Sequence, residues 1–143
     1  MHAMTEIAVL FLAANLYAHR AHNVVKGPLF KPDHDMFDGL YKGYDASYDA
    51  VVEKILGQGE TVDIVDLVQR AASAFAEQVK ATGADATDGY VFCVRLMAFE
   101  RGIVSQVAKA LKAVTDEGLR NFLQGLADES GDRVYMLRGR TGK

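Results

Sequence analysis

The sequence predicts an all-α fold. Half of its 143 residues are hydrophobic, and they recur with the period of an amphipathic helix rather than in the two-residue alternation of a half-buried strand. Only two prolines interrupt the chain, and both lie between residues 27 and 33. A chain of this length can bury a core of its own, so we expect residues 1–143 to form a single domain.

Five helices are expected along the chain. They cover residues 5–25, 34–56, 61–82, 88–114 and 115–137. Gly27, Pro28 and Pro32 break the chain between the first two helices. Asp33 is expected to cap the second helix, and Thr115, followed by two acids where the helix dipole favours them, to begin the last. The segment 61–82 is amphipathic and separates the second helix from the fourth.

The apolar run of residues 7–14 is interpreted as a buried helix face rather than a signal peptide. No Lys or Arg precedes it, Glu6 lies against it, and it is too short to span a membrane. The single cysteine, Cys93, excludes an internal disulfide and is expected to be a small buried apolar residue. We therefore expect a cytoplasmic protein that makes no membrane contact.

Four metal-type side chains of the second helix fall on one stripe. They are His34, Asp38, Asp49 and Glu53. At about 100° per residue, all four lie within roughly 100° of arc, but Asp38 and Asp49 are roughly 16 Å apart along the axis. Ligands of one ion approach it to about 2 to 2.6 Å, so one chain cannot close such a site. An antiparallel two-fold dimer would bring the first half-site of one copy onto the second half-site of its partner, twice.

The spacing of these residues resembles that of the mini-ferritins, the DNA-binding proteins from starved cells (Dps). In that family a histidine precedes a Lys-Gly turn, a second histidine lies twelve residues on, and an Asp, an acid and a Glu follow at intervals of four, eleven and four. The matching residues here are His22, His34, Asp38, Asp49 and Glu53. The close match covers about a quarter of the chain. Asn23 stands where the family typically has Trp, so any protection from radicals by that Trp has no counterpart.

The resemblance implies a ferritin-like four-helix bundle with an additional helix between the second and third bundle helices. It also implies a homo-oligomer with two-fold interfaces, assembled as a dodecameric shell, that acts as an iron-storage ferroxidase. The implied ligands of Fe(II) are His22, His34 and Asp38 from one subunit and Asp49 and Glu53 from its partner. Hydrogen peroxide or dioxygen would be the oxidant, and ferric mineral would collect in the cavity.

The side-chain types of the five implied ligands are compatible with iron but do not by themselves require it. Nitrogen and carboxylate ligands with no thiolate favour iron, zinc or manganese over copper(I), and the resemblance selects iron. The iron centre is expected to be dinuclear. Glu53 is the expected shared ligand, because a carboxylate can span two ions whereas an imidazole cannot.

Other side chains near the stripe suit structural roles better than chemical ones. Tyr41, Tyr44 and Tyr48 follow one another at helical spacing and are expected to pack, although a tyrosine beside iron can donate an electron. His19 lies three residues before His22 and is expected to be a hydrogen-bonded structural histidine rather than a proton shuttle.

Two alternative functions come from other classes. A nucleoid-compacting DNA binder needs a basic tail, but the net charge is -3 and no Lys or Arg precedes Arg20. Only the C-terminal Arg138, Arg140 and Lys143 could serve, so DNA binding is the weaker expectation. The second alternative is a ferritin-like helical protein that binds another metal, such as zinc, for structure alone.

Overall fold

The chain folds into five α-helices, as the sequence predicts. The structure is a computed structural model that describes residues 2–143. The helices are α1 His2–Val24, α2 Phe30–Gly57, α3 Ile64–Thr82, α4 Gly89–Ala113 and α5 Glu117–Thr141. Within the described range no strand forms, and the one isolated bridge pairs Lys26 with Asp88. None of these helices combines the length and the apolar character that crossing a membrane requires.

Two helix hairpins make up the bundle. Connections of a few residues join α1 to α2 and α4 to α5, so each pair is antiparallel. Arg140 of α5 pairs with Asp33 of α2 at one end of the molecule, while the ammonium of Lys54 on α2 lies 5.3 Å from the ring centroid of Phe122 on α5 at the other. α2 and α5 are therefore antiparallel as well, and α2 and α4 point in the same direction.

α3 connects the end of α2 to the start of α4. These two points lie at opposite ends of the bundle because α2 and α4 are parallel. α3 runs parallel to α1, because Glu6 pairs with Arg70 near one end and Arg20 donates to the carbonyl oxygen of Ala84 just beyond the other. α3 packs mainly on α1 and touches α4. The additional helix expected between the second and third bundle helices is thus present, with 19 residues.

Aromatic side chains fill the centre of the bundle around one buried carboxylate. Glu100 is fully buried and accepts hydrogen bonds from the Tyr44 hydroxyl at 2.5 Å, Ser130 Oγ at 2.7 Å and Arg133 Nε at 2.7 Å. Burial first, and then the charge of Glu100, raise the pKa of Tyr44 well above its usual value, so the phenol remains a donor. This network joins α2, α4 and α5 in the interior.

The N-terminal caps of two helices differ from the expectation. α2 begins at Phe30, and Pro32 lies in its first turn, where a missing N–H costs no helix hydrogen bond. Asp33 is therefore a helical residue and not the cap. α5 is capped by Asp116, whose carboxylate accepts from the Leu119 N–H at 2.8 Å, rather than by Thr115.

The C-terminal basic residues do not form a free tail. α5 continues to Thr141, which places Arg138 and Arg140 within the helix. Arg140 donates to both carboxylate oxygens of Asp33, from Nε at 2.7 Å and from Nη2 at 3.0 Å. Asp33 is only 2% exposed. An isolated buried carboxylate would be costly, so this two-pronged pairing explains why an acid is tolerated there.

The start of α4 packs directly against this ion pair. A Cβ added to Gly89 would lie 2.0 Å from Asp33 Oδ2 and 2.7 Å from its Cγ, so only glycine fits without displacing the carboxylate. Just before α4, the carbonyl oxygen of Thr87 accepts from the Lys26 N–H at 3.0 Å. The ends of α1, α2, α4 and α5 thus meet around Asp33 and Arg140.

Replacing Gly89 by alanine is expected to destabilise the protein by about 3 kcal/mol, because the new methyl group must push Asp33 away from Arg140 and break a largely buried pair. Urea unfolding followed by circular dichroism measures the change. Gly125→Ala on α5 is the matched control, because nothing lies within 4 Å of a Cβ there. The control should be neutral or stabilising by up to about 1 kcal/mol. Equal midpoints for the two variants would contradict the close packing inferred at Gly89.

Candidate metal centre

His22 and His34 meet face to face where α1 ends and α2 begins. Their ring centroids are 3.8 Å apart and the planes are inclined by 19°. His22 Nδ1 donates to the carbonyl oxygen of His34 at 2.9 Å, and His34 Nδ1 donates to that of His22 at 2.8 Å. A carbonyl oxygen can only accept, so each Nδ1 carries a proton. In the neutral rings the free lone pair is therefore on Nε2, the atom available to a metal ion.

A tight turn brings the two histidines together. Gly27 has φ of 115°, a conformation that other residues rarely adopt, and its carbonyl oxygen accepts from the Phe30 N–H at 3.0 Å. The turn reverses the chain within a few residues, so that the last turn of α1 faces the first turn of α2. The ring of Phe30 stacks on His34 with centroids 5.0 Å apart. His34 therefore lies between two rings.

Asp38 lies one helical turn beyond His34 and already holds a cation. Its carboxylate pairs with the Lys42 ammonium at 2.9 Å. The hydrogen bond from Lys42 is the main reason that the pKa of Asp38 is lower than usual, and His22 adds a smaller contribution. Asp38 is thus an ionised acceptor near the histidine pair. A metal ion bound here would replace the ammonium of Lys42.

Asp49 and Glu53 form a separate carboxylate pair near the other end of α2. Both side chains are exposed. A hydrogen bond shared with Asp49, followed by the negative charge of Asp49, raises the pKa of Glu53. Two neighbouring carboxylates that repel one another are a favourable place for a divalent cation, which can neutralise both.

Within one chain, the structure brings only some of the predicted ligands together. His22 and His34 are in contact and Asp38 is the next residue along the stripe, whereas Asp49 and Glu53 lie roughly three to four helical turns further on. In the described part of the chain, no group of three or more His, Cys, Asp or Glu side chains is arranged to hold a metal ion.

His19 and Cys93 both pack against other parts of the folded chain. The imidazole of His19 stacks on Tyr41 with centroids 3.9 Å apart and the planes 7° from parallel. Cys93 is fully buried, as predicted, and burial raises its pKa to about 12, so it remains a thiol rather than a thiolate ligand.

Sequence reasoning missed the residues that hold the site in place. Asp33 and Arg140 are 107 positions apart, and no local pattern connects them. Gly89 looks like one of several glycines until the backbone of α4 is placed against Asp33. The pairing of Lys42 with Asp38 could have been predicted from the sequence, because a lysine four residues after an aspartate on a helix commonly pairs with it.

The chain has no match among the protein-family models, curated proteins and solved structures with which it was compared. Its function is therefore inferred from the geometry of its own side chains. That geometry places two imidazoles and a carboxylate where α1 ends and α2 begins, and two carboxylates near the other end of α2.

Replacing Asp49 by asparagine is expected to lower the pKa of Glu53, because the variant removes the negative charge that makes Glu53 take up its proton at a higher pH than usual. Carbon-detected NMR titration of the Glu53 carboxyl in metal-free protein measures the shift. Asp38→Asn, on the same helix but distant from Glu53, is the control and should leave the titration unchanged. An unaltered Glu53 titration in Asp49→Asn would show that the two acids are not coupled.

Proposed function

We propose that this protein is a ferroxidase of the mini-ferritin type, which oxidises Fe(II) with hydrogen peroxide or dioxygen and stores the ferric product. Iron is the substrate, held between the half-site of His22, His34 and Asp38 on one subunit and that of Asp49 and Glu53 on its partner. The observation that carries the proposal is the symmetry of the ligand positions on α2.

The ligand positions on α2 are mirrored about a point between Gly43 and Tyr44. His34 and Glu53 each lie nine and a half residues from this point, and Asp38 and Asp49 each lie five and a half residues from it. Two antiparallel copies of α2 that cross here would bring each histidine-containing half-site next to the carboxylate pair of the partner. A two-fold axis makes every contact twice, so such a dimer would hold two equal sites.

Small side chains occupy the face of α2 that borders the Glu53 edge of the ligand stripe and turns towards α5. Gly39, Gly43, Ala46 and Ala50 line a groove of about 610 Å³ between α2 and α5. Among the described residues, nothing lies within 4 Å of a Cβ built on Gly39 or Gly43. The little bulk at this margin leaves room for a partner helix beside the stripe.

The available donors suit ferrous ions. The Nε2 atoms of His22 and His34 supply nitrogen, and three carboxylates supply oxygen, a combination that iron accepts. Peroxide takes up two electrons and two protons to give two molecules of water, whereas each Fe(II) gives up one electron. Two ferrous ions per site therefore balance the reaction. The carboxylate of Glu53 is the natural group to contact both ions.

The architecture is compatible with the proposed assembly. A four-helix bundle with one long crossover connection is the arrangement of ferritin-like folds, and α3 occupies the place of that crossover. We extend the proposal to a dodecameric shell in the cytoplasm, with mineral stored in its cavity. The support for the shell is the resemblance of residues 22–53 to the mini-ferritins.

The two alternative functions have less support. For DNA binding, Arg140 is paired with Asp33 and Arg138 lies within α5, so the basic residues do not form the extended tail that this function would use. For a purely structural metal such as zinc, the exposed Asp49 and Glu53 offer no closed coordination sphere within one chain.

Two inactive variants are expected to complement each other in a mixed dimer. In a His34→Ala, Asp38→Ala chain and in an Asp49→Ala, Glu53→Ala chain, every site of the homo-oligomer lacks two ligands. A mixed two-fold dimer has one site with all four defects and one that is intact. Random mixing should thus restore peroxide-dependent iron oxidation to roughly a quarter of the wild-type rate.

The complementation experiment has a direct control. Mixing either variant with itself after the same dissociation and reassembly should restore nothing. An absence of rescue in correctly assembled mixed shells would exclude sites shared between subunits, even if each residue binds iron.

Replacing Asp45 by phenylalanine is expected to prevent the two-fold contact without unfolding the chain. Asp45 is exposed, lies one and a half residues from the centre of the mirrored ligand positions, and at about 100° per residue falls on the ligand stripe. A ring there would separate two α2 helices that cross at this point. Native mass spectrometry should detect monomers with unchanged helical circular dichroism and no ferroxidase activity. Asp128→Phe makes the same change at an exposed residue of α5 and should leave dimers and activity intact. Active dimers of Asp45→Phe would rule out a crossing at this point.

A further inference from the structure

A separate cavity of about 670 Å³ opens at the end of the bundle away from the histidine pair. It lies between the first turns of α1, Arg70 on α3 and the last turns of α4. Met4 in its wall is roughly 27 Å from His22 along α1, at about 1.5 Å per residue. The cavity is therefore distinct from the candidate metal centre. Its volume falls within the range of about 300–1,000 Å³ that is usual for small-molecule sites.

The wall of this cavity is aliphatic. The space is left open by the small side chains of Ala3, Ala110 and Ala113. The rest of the apolar surface belongs to Met4 and Val114. Met4 and Ala110 are almost fully buried, so the wall is continuous with the core. The imidazole of His2 belongs to the exposed edge of the cavity, beside Glu6, and not to this aliphatic wall. An alkyl chain would find aliphatic contacts along the length of the wall.

The polar edge of the cavity carries a net positive charge. Glu6 is neutralised by its ion pair with Arg70. The guanidinium of Arg70 has five N–H groups, and the pair with Glu6 uses one nitrogen, so other donors remain. Lys109 and Gln106 lie on the α4 side, and no partner of the Lys109 ammonium occurs among residues 2–143. On a chain of net charge -3, this edge is locally positive and would attract an anion.

We propose that the cavity binds a medium-chain aliphatic monocarboxylate, with the alkyl chain along the alanine-rich wall and the carboxylate between Lys109 and Arg70. One negative charge on the ligand matches the single unbalanced positive charge of the edge. The amide of Gln106 can donate a further hydrogen bond to the carboxylate. This binding is independent of the proposed iron chemistry, because none of the candidate metal ligands lines the cavity.

Decanoate is the probe, and isothermal titration calorimetry of the assembled full-length protein is the measurement. Saturable binding at one site per chain is expected. Decanol has the same chain without the charge and should bind about tenfold more weakly, because it cannot pair with the two cations. A lack of saturable decanoate binding, or equal affinity for decanol, would overturn the proposal.

Two variants and a matched control locate the binding. Lys109→Glu should weaken decanoate binding by about tenfold, since it replaces attraction by repulsion at the carboxylate. Lys112→Glu makes the same charge change on α4 at a residue that does not line the cavity, and its affinity should equal that of the wild type. Equal weakening by both variants would indicate only a general effect of net charge and would overturn the proposal.

Ala113→Phe tests the volume of the cavity independently of its charge. Ala113 is exposed at the end of α4, so the larger ring can be accommodated without disturbing the core. The ring should fill the space and abolish binding of both decanoate and decanol, with the helical circular dichroism unchanged. Undiminished decanoate binding by a folded Ala113→Phe protein would place the ligand elsewhere and contradict the assignment.

Discussion

The bidentate ion pair between Asp33 and Arg140 is the interaction on which the histidine end of the molecule depends. The first turn of α2 has no side-chain cap, so Asp33 is the residue that anchors it to the rest of the bundle. Gly89 allows α4 to pack on the same carboxylate. His34 follows Asp33 directly, and its position against His22 is therefore fixed by contacts that span almost the whole chain. Such an ion pair contributes more to the relative position of α2 and α5 than to the net free energy of unfolding.

The division of the candidate site into two halves follows from helix geometry. In the proposed ferroxidase, α2 carries ligands at both ends and cannot fold back on itself, so the partner subunit would complete each half-site. Without a metal ion, the charge balance of the two halves differs. Lys42 balances the charge of Asp38, whereas Asp49 and Glu53 repel one another. A divalent ion at the interface would relieve this repulsion. Iron uptake and subunit contact are thus favoured by the same electrostatics in the proposed ferroxidase.

The sequence predicted where the helices lie along the chain but not how they contact one another. Helical periodicity and the break at Gly27, Pro28 and Pro32 predicted five helices and the turn that joins the first two. Whether Asp33 would cap a helix or pair with a distant arginine depends on where the end of α5 lies, which periodicity does not specify. The stripe on α2 was visible because it is local. The mutual hydrogen bonds of His22 and His34 depend on backbone positions, and the clearance at Gly89 emerges only from packed helices.

The reciprocal hydrogen bonds of the two histidines make them one rigid unit. Each ring is held by the backbone of the other residue, so neither can change rotamer without breaking a bond at the opposite helix. Two freely rotating imidazoles would lose conformational entropy when they converge on an ion, and here the fold has already removed that freedom. In the proposed ferroxidase, the turn between α1 and α2 would present both imidazoles with their orientation already fixed. The affinity of that half-site for iron would then depend on the integrity of the turn as much as on the identity of the ligands.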